Sequence, residues 1–98
     1  MRKDEAIAAL RQHTDAVRAL GATSLYLFGS TVRDAATPGS DLDVFVDYDS
    51  TGSFSLIALV GIKQLLEDRL GIRVDVTTRD SLDPWLRGDI EATARRVF

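Results

Sequence analysis

Carboxylates alternate with apolar side chains in Ser40-Asp41-Leu42-Asp43-Val44-Phe45-Val46, and no other pattern in the chain restricts its fold as much. Alternation with a period of two is the signature of a strand. Asp41 and Asp43 then share one face, while Leu42, Val44 and Val46 share the other and enter a core. Residues two apart on a strand are roughly 6–7 Å apart at Cα. Two carboxylates at that spacing suit a pair of Mg²⁺ ions roughly 3.5–4 Å apart, bridged by carboxylate oxygens. A second run, Ile72-Arg73-Val74-Asp75-Val76, alternates in the same way. Pairing the two strands with apolar faces inward places Asp75 beside Asp41 and Asp43, as a third acid.

The segment before the acids offers a place for an anion. Ser24-Leu25-Tyr26-Leu27-Phe28 reads as a strand that stops at Gly29. Glycine permits close backbone approach and unusual φ. Ser30 is a good N-cap for a short helix through Thr31, Val32, Arg33 and Asp34. Such a helix start turns free N–H groups and a positive dipole end towards phosphate. Arg33 adds a fixed positive charge, or else forms a surface ion pair with Asp34 or Asp41. Together, a Gly-Ser turn and three acids can hold a triphosphate between backbone N–H groups and metals.

Phe28-Gly29-Ser30-Thr31-Val32-Arg33, followed by Pro38-Gly39-Ser40-Asp41-Leu42-Asp43-Val44 and then Asp75, resembles the signature of the DNA polymerase β-like nucleotidyltransferase superfamily. Within it the chain is most similar to the minimal nucleotidyltransferases, the MNT proteins. Thr31-Val32 departs from the basic or small residues that relatives often carry before the arginine. The resemblance implies catalysis by Asp41, Asp43 and Asp75 with two Mg²⁺ ions, and triphosphate binding by Gly29, Ser30 and Arg33. It implies ATP as donor and a tyrosine of a HEPN ribonuclease toxin as the acceptor of AMP. The chain is then an antitoxin that binds its toxin in a hetero-oligomer. Two rival readings follow from the same resemblance: a nucleotidyltransferase acting on a small molecule or a nucleic-acid end, and an antitoxin that masks its toxin without catalysis.

Composition narrows these options. Ninety-eight residues suit one minimal domain over residues 1–98, and 45% apolar residues can fill one core. That leaves no room for a separate acceptor-binding domain, which favours an acceptor delivered by a protein. The net charge of −3 disfavours nucleic acid as a direct partner. No cysteine is present, so disulfides and thiolate metal sites are excluded. No apolar run approaches membrane-spanning length, no signal peptide opens the chain, and Met-Arg-Lys-Asp reads as a complete start. A cytoplasmic protein is expected.

The expected order is αβαβαβα: a small mixed three-stranded sheet packed by helices, in the α/β (α+β) class. A first helix runs from about Lys3 to Ala19 with Ile7, Leu10, Val17 and Leu20 on one stripe, closed by Gly21. Leu25–Phe28 is the first strand, and Gly29–Ala35 is the turn and short helix. Thr37–Ser40 is a turn and Asp41–Tyr48 the second strand. A helix from about Ser55 to Leu70 points Ile57, Val60 or Gly61, Leu65 and Leu66 inward, and Gly71 closes it. Ile72–Thr77 is the third strand. Asp83 caps a last helix with Pro84 at its first position and an apolar stripe of Leu86, Ile90 and Val97. The short connection between the first two strands predicts an antiparallel pair, and the intervening helix predicts a crossover to the third.

Several residues invite other roles. His13, the only histidine, reads as packing or surface. Asp47 and Asp49 read as solvated loop-end acids. Arg95-Arg96 reads as a helix-end dipole partner. Phe98 reads as core, and Trp85 as either core or an interface anchor.

Overall fold

A computed structural model describes residues 2–33, 41–52 and 54–98. Among the described residues, four strands, β1 (Ala22–Phe28), β2 (Leu42–Tyr48), β3 (Val74–Thr78) and β4 (Arg95–Arg96), form one sheet in the order β3-β2-β1-β4. β1 pairs antiparallel with β2, and β2 pairs parallel with β3. Helix α3 (Leu56–Leu70) makes the crossover between the parallel strands. Both expected pairings are therefore present, with one strand more than the expected three. The expected turn at Thr37–Ser40 and the expected helix beyond Arg33 lie outside the described residues.

The extra strand, β4 (Arg95–Arg96), comes from the end of the expected last helix. It pairs with β1 through Tyr26↔Arg96 and Leu27↔Arg95. Leu25 donates its N–H to the Phe98 carbonyl at 3.1 Å and accepts from Val97 N–H at 2.8 Å. The β1 edge is thus satisfied by the segment Arg95–Phe98, and that demand overrides helix propensity. The helix that remains, α4, is Arg87–Thr93 and buries none of its residues. Asp83 still organises the approach: its side chain accepts from Trp85 N–H at 2.9 Å and its carbonyl from Arg87 N–H at 2.8 Å. Leu86 is exposed rather than part of an inward stripe, while Val97 is buried on the strand side.

One face of the sheet meets the helices. Leu25, Leu27, Leu42, Val44, Val46 and Val74 bury against Ala6, Leu10, Val17, Ile62 and Leu66. The first helix is two: α1 (Lys3–Arg11) and α2 (Thr14–Ala19), broken at Gln12-His13, where Thr14 Oγ1 donates to the Arg11 carbonyl at 2.7 Å. Ala6, Leu10 and Val17, spaced i, i+4 and i+11, enter the core from both sides of that break. Helix α3 begins at Ser55, whose Oγ accepts from Ala58 N–H at 3.2 Å, and ends at Gly71 with φ 70°. Ile62 and Leu66 are buried and Leu59, Leu65 and Leu70 pack partly buried against the core, whereas Ile57 is 84% exposed and Val60 is also exposed. The helix carries apolar residues around most of its circumference, so periodicity alone could not set its phase.

Leu66→Ala should therefore cost about 2–5 kcal/mol in urea unfolding, as for other buried leucines. Ile57→Ala should stay within about 0.5 kcal/mol of the parent, as for an exposed site. The reverse ranking would contradict the phase described for α3.

Candidate active site

The opposite face of the sheet carries the acids. In register, Phe28 stands opposite Asp43 on β1, and Asp43 stands opposite Asp75 on β3. Asp41 lies one residue before β2. The expected face-sharing of the acids is what this register produces. Asp41 and Asp43 are half-buried and Asp75 is exposed.

Gly29 has φ 81°, in the left-handed region that favours glycine. A Cβ built there would overlap Asp43 Oδ2 and lie 3.2 Å from Asp43 Cγ. Two constraints therefore demand glycine: the backbone conformation and the carboxylate packed against it. Gly29–Thr31 form a single 3-10 turn whose cap position is Phe28, with no side-chain cap bond. Ser30 is thus inside the turn and not its N-cap, because the tight turn begins directly at the end of β1. Among the described residues, the backbone presented to an anion is this one short turn. Thr31 and Val32 bury their side chains, and Arg33 stays exposed.

Charge is crowded at Asp43. Burial raises its pKa first, and the neighbouring Asp75 and Asp41 raise it further, while Arg33 pulls it down. A cation would relieve this crowding. Among the described residues, no three His, Cys, Asp or Glu side chains form a ready-made metal cage. Mg²⁺ does not require one, since it is commonly held by one or two carboxylates, with waters and substrate phosphates completing its octahedron. The donor set of Asp41, Asp43 and Asp75 fits a site that nucleotide completes.

Two polar clusters supporting this face were not anticipated from the sequence. The N–H of Val74, one residue before Asp75, donates to Glu67 Oε2 at 3.1 Å, and Lys63 Nζ donates to the Val74 carbonyl at 2.8 Å. Helix α3 thereby pins β3 beside Asp75. Farther along, Arg79 Nε and Nη2 donate to the two carboxylate oxygens of Asp47 at 2.8 and 3.0 Å, and Nη1 donates to Glu91 at 3.0 Å. Its Cζ lies 4.9 Å from the ring centroids of both Tyr26 and Phe45. Phe45 is fully buried although the helices cover the other face, because Tyr26, Phe28 and Arg79 roof it. Asp47 is therefore an ion-pair partner and not a solvated acid. The available signal was its position on the same strand face as Asp43, with an arginine directly after β3. Asp49 accepts from Thr51 N–H and Oγ1 within its own loop. His13 lies at the break between α1 and α2. Trp85 is 93% exposed, which removes the core reading. Phe98 packs partly buried against the core, with Arg18 over its ring.

The profile of the Nucleotidyltransferase domain family matches residues 10–97. A Methanocaldococcus jannaschii protein provisionally named protein adenylyltransferase is 36% identical over 69 residues, covering 69% of this chain and 68% of its own. The solved structure of a provisionally named minimal nucleotidyltransferase aligns with a TM-score of 0.81 at 31% identity, over 97% of this chain and 95% of that one. The fold also recurs in a chain from a tri-AMPylated Shewanella oneidensis HEPN toxin in complex with MNT antitoxin, with a TM-score of 0.63 at 20% identity, covering 90% and 68% of the respective chains.

The raised pKa of Asp43 fixes the sign of a pH effect. A carboxyl whose folded pKa exceeds its unfolded value of 3.8 destabilises the fold when charged. That penalty is present at pH values above the folded pKa. It is relieved as pH falls through the folded pKa towards the unfolded one. Without metal, Asp43→Asn should raise the thermal midpoint at pH 7.5 by up to about 4 °C, equivalent to less than about 1 kcal/mol. The gain should shrink as melts are repeated towards pH 4. A gain that grows on acidification would contradict the charge-crowding account. Gly29→Ala, by contrast, should lower the midpoint at every pH, since neither its φ nor its overlap with Asp43 titrates.

Proposed function

This chain belongs to the nucleotidyltransferase domain family, and on that premise we propose that it is an antitoxin transferring AMP from ATP to a tyrosine of a HEPN ribonuclease toxin. The observation that carries the reading is the junction at Asp43, where the Gly29 turn and the third acid, Asp75, meet one carboxylate. Asp41, Asp43 and Asp75 would hold two Mg²⁺ ions. Bound there, the metals would offset triphosphate charge and lower the pKa of the acceptor hydroxyl.

The remaining work falls to the chain itself. Gly29 leaves the space for phosphate to approach the backbone, with Ser30 and nearby N–H groups as donors and Arg33 as a fixed positive charge. Asp75, exposed at the rim, would take the proton of the attacking hydroxyl. The acceptor oxygen forms a bond to the α-phosphorus, the bond to the leaving oxygen breaks, and pyrophosphate departs. We read residues 1–98 as one minimal domain acting in the cytoplasm, where ATP and a toxin partner meet it. No helix among the described residues is long and apolar enough to cross a membrane.

Support for a protein acceptor comes from relatives. One similar protein is named a protein adenylyltransferase, and one complex with this fold contains an AMPylated HEPN toxin. The test is to incubate the chain with MgATP and a candidate HEPN toxin, sought among the products of neighbouring genes. Intact-mass analysis should show the partner gaining AMP units on a tyrosine. Asp43→Ala should lower transfer at least about a hundredfold, because the displacement relies on its metals. Calorimetry should show ATP binding weakened by EDTA. A partner that is inhibited without gaining mass would replace transfer with masking.

A further inference from the structure

Arg73 sits at the edge of this site and enters none of the roles above. It directly precedes β3 and, by strand alternation, shares the face of Asp75. Its carbonyl accepts from Leu42 N–H at 3.0 Å, which places it alongside Asp41 and Leu42. Its Nε lies 3.7 Å from Asp41 Oδ1, and its side chain is 82% exposed. That distance is too long for a hydrogen bond, and ion pairs in water are held weakly. Arg79 is different: it is engaged on Asp47, Glu91 and two aromatic rings. Arg73, whose charge also acts on Glu67, is thus a cation beside a proposed metal ligand, joined to it by a contact that is easily exchanged.

A divalent ion on Asp41 would cancel the attraction that keeps Arg73 there and repel the guanidinium. Incoming phosphates carry the charge it then lacks, and the planar fork of N–H donors matches a phosphate edge. We propose that Arg73 exchanges partners as the site fills: it is the counter-ion of Asp41 in the empty protein and a ligand of the donor's phosphate chain in the loaded one. The inference rests on the nucleotidyl-transfer reading. With Arg33 on the turn after β1, it gives the phosphate chain a positive charge from each of two elements.

The two halves of the exchange predict opposite shifts in one variant. Without nucleotide, Arg73→Gln should bind Mn²⁺ about two- to fivefold more tightly, the scale of losing an exposed competing ion pair. The same variant should bind MgATP about tenfold more weakly, the scale of one charge-assisted contact. Adenosine affinity should not change, and Arg73→Lys should recover part of the MgATP loss. Electron paramagnetic resonance of free Mn²⁺ and calorimetry with MgATP read the two quantities without turnover. Matched thermal melts check that the variants are folded. Unchanged MgATP affinity, or Mn²⁺ affinity that fails to rise, overturns the exchange. Wild-type protein that binds neither Mn²⁺ nor MgATP overturns the nucleotidyl-transfer reading itself, and the exchange with it.

Discussion

The contact between Gly29 and the Asp43 carboxylate is the constraint on which the site depends. It joins the end of β1 to the start of β2 at the point where a side chain at position 29 has no room. The antiparallel register sets it, and the parallel register then brings Asp75 opposite Asp43. Backbone pairing across three strands therefore concentrates negative charge at one end of the sheet. The fold tolerates that charge because Asp41 and Asp43 are only half-buried and arginines stand nearby. Such crowding is what the proposed metal-assisted displacement would use.

The sheet has two unlike faces, and both contribute. The helix-covered face holds the aliphatic core against which β1 and β2 pack. The other face is roofed by an aromatic cluster under Arg79, which ties β2 to α4 through Asp47 and Glu91. Arginine suits that position because one planar group can stack on rings and pair with carboxylates at its edge. The acids lie at the other end of the same strand face. Phe28, at the near edge of the roof, stands opposite Asp43, so Asp43 is half-buried while Asp75 stays exposed.

The residues that carry the proposed chemistry were legible because each obeys a local rule. Alternation put Asp43 and Asp75 on one face, and a glycine at a strand end marked the turn. Local rules failed where distant partners decided the outcome. The last helix lost its end to β4 because β1 had an unpaired edge. The phase of α3 was hidden by apolar residues around the helix, leaving Ile57 exposed and Ile62 buried. Asp47 looked solvated because its partner, Arg79, is 32 residues away in sequence. Ser30 looked like a helix cap, but the 3-10 turn begins one residue earlier, with Phe28 at the cap position.

A crystal grown with Mn²⁺ and a non-hydrolysable ATP analogue would test the central claim most directly. Anomalous scattering locates each Mn²⁺ without reference to any assumed chemistry. The account predicts peaks bound by Asp41 and Asp43, with Asp75 at the acceptor side and the triphosphate against the Gly29 turn. Nucleotide bound elsewhere, or Mn²⁺ absent from these carboxylates while the nucleotide is in place, would contradict it.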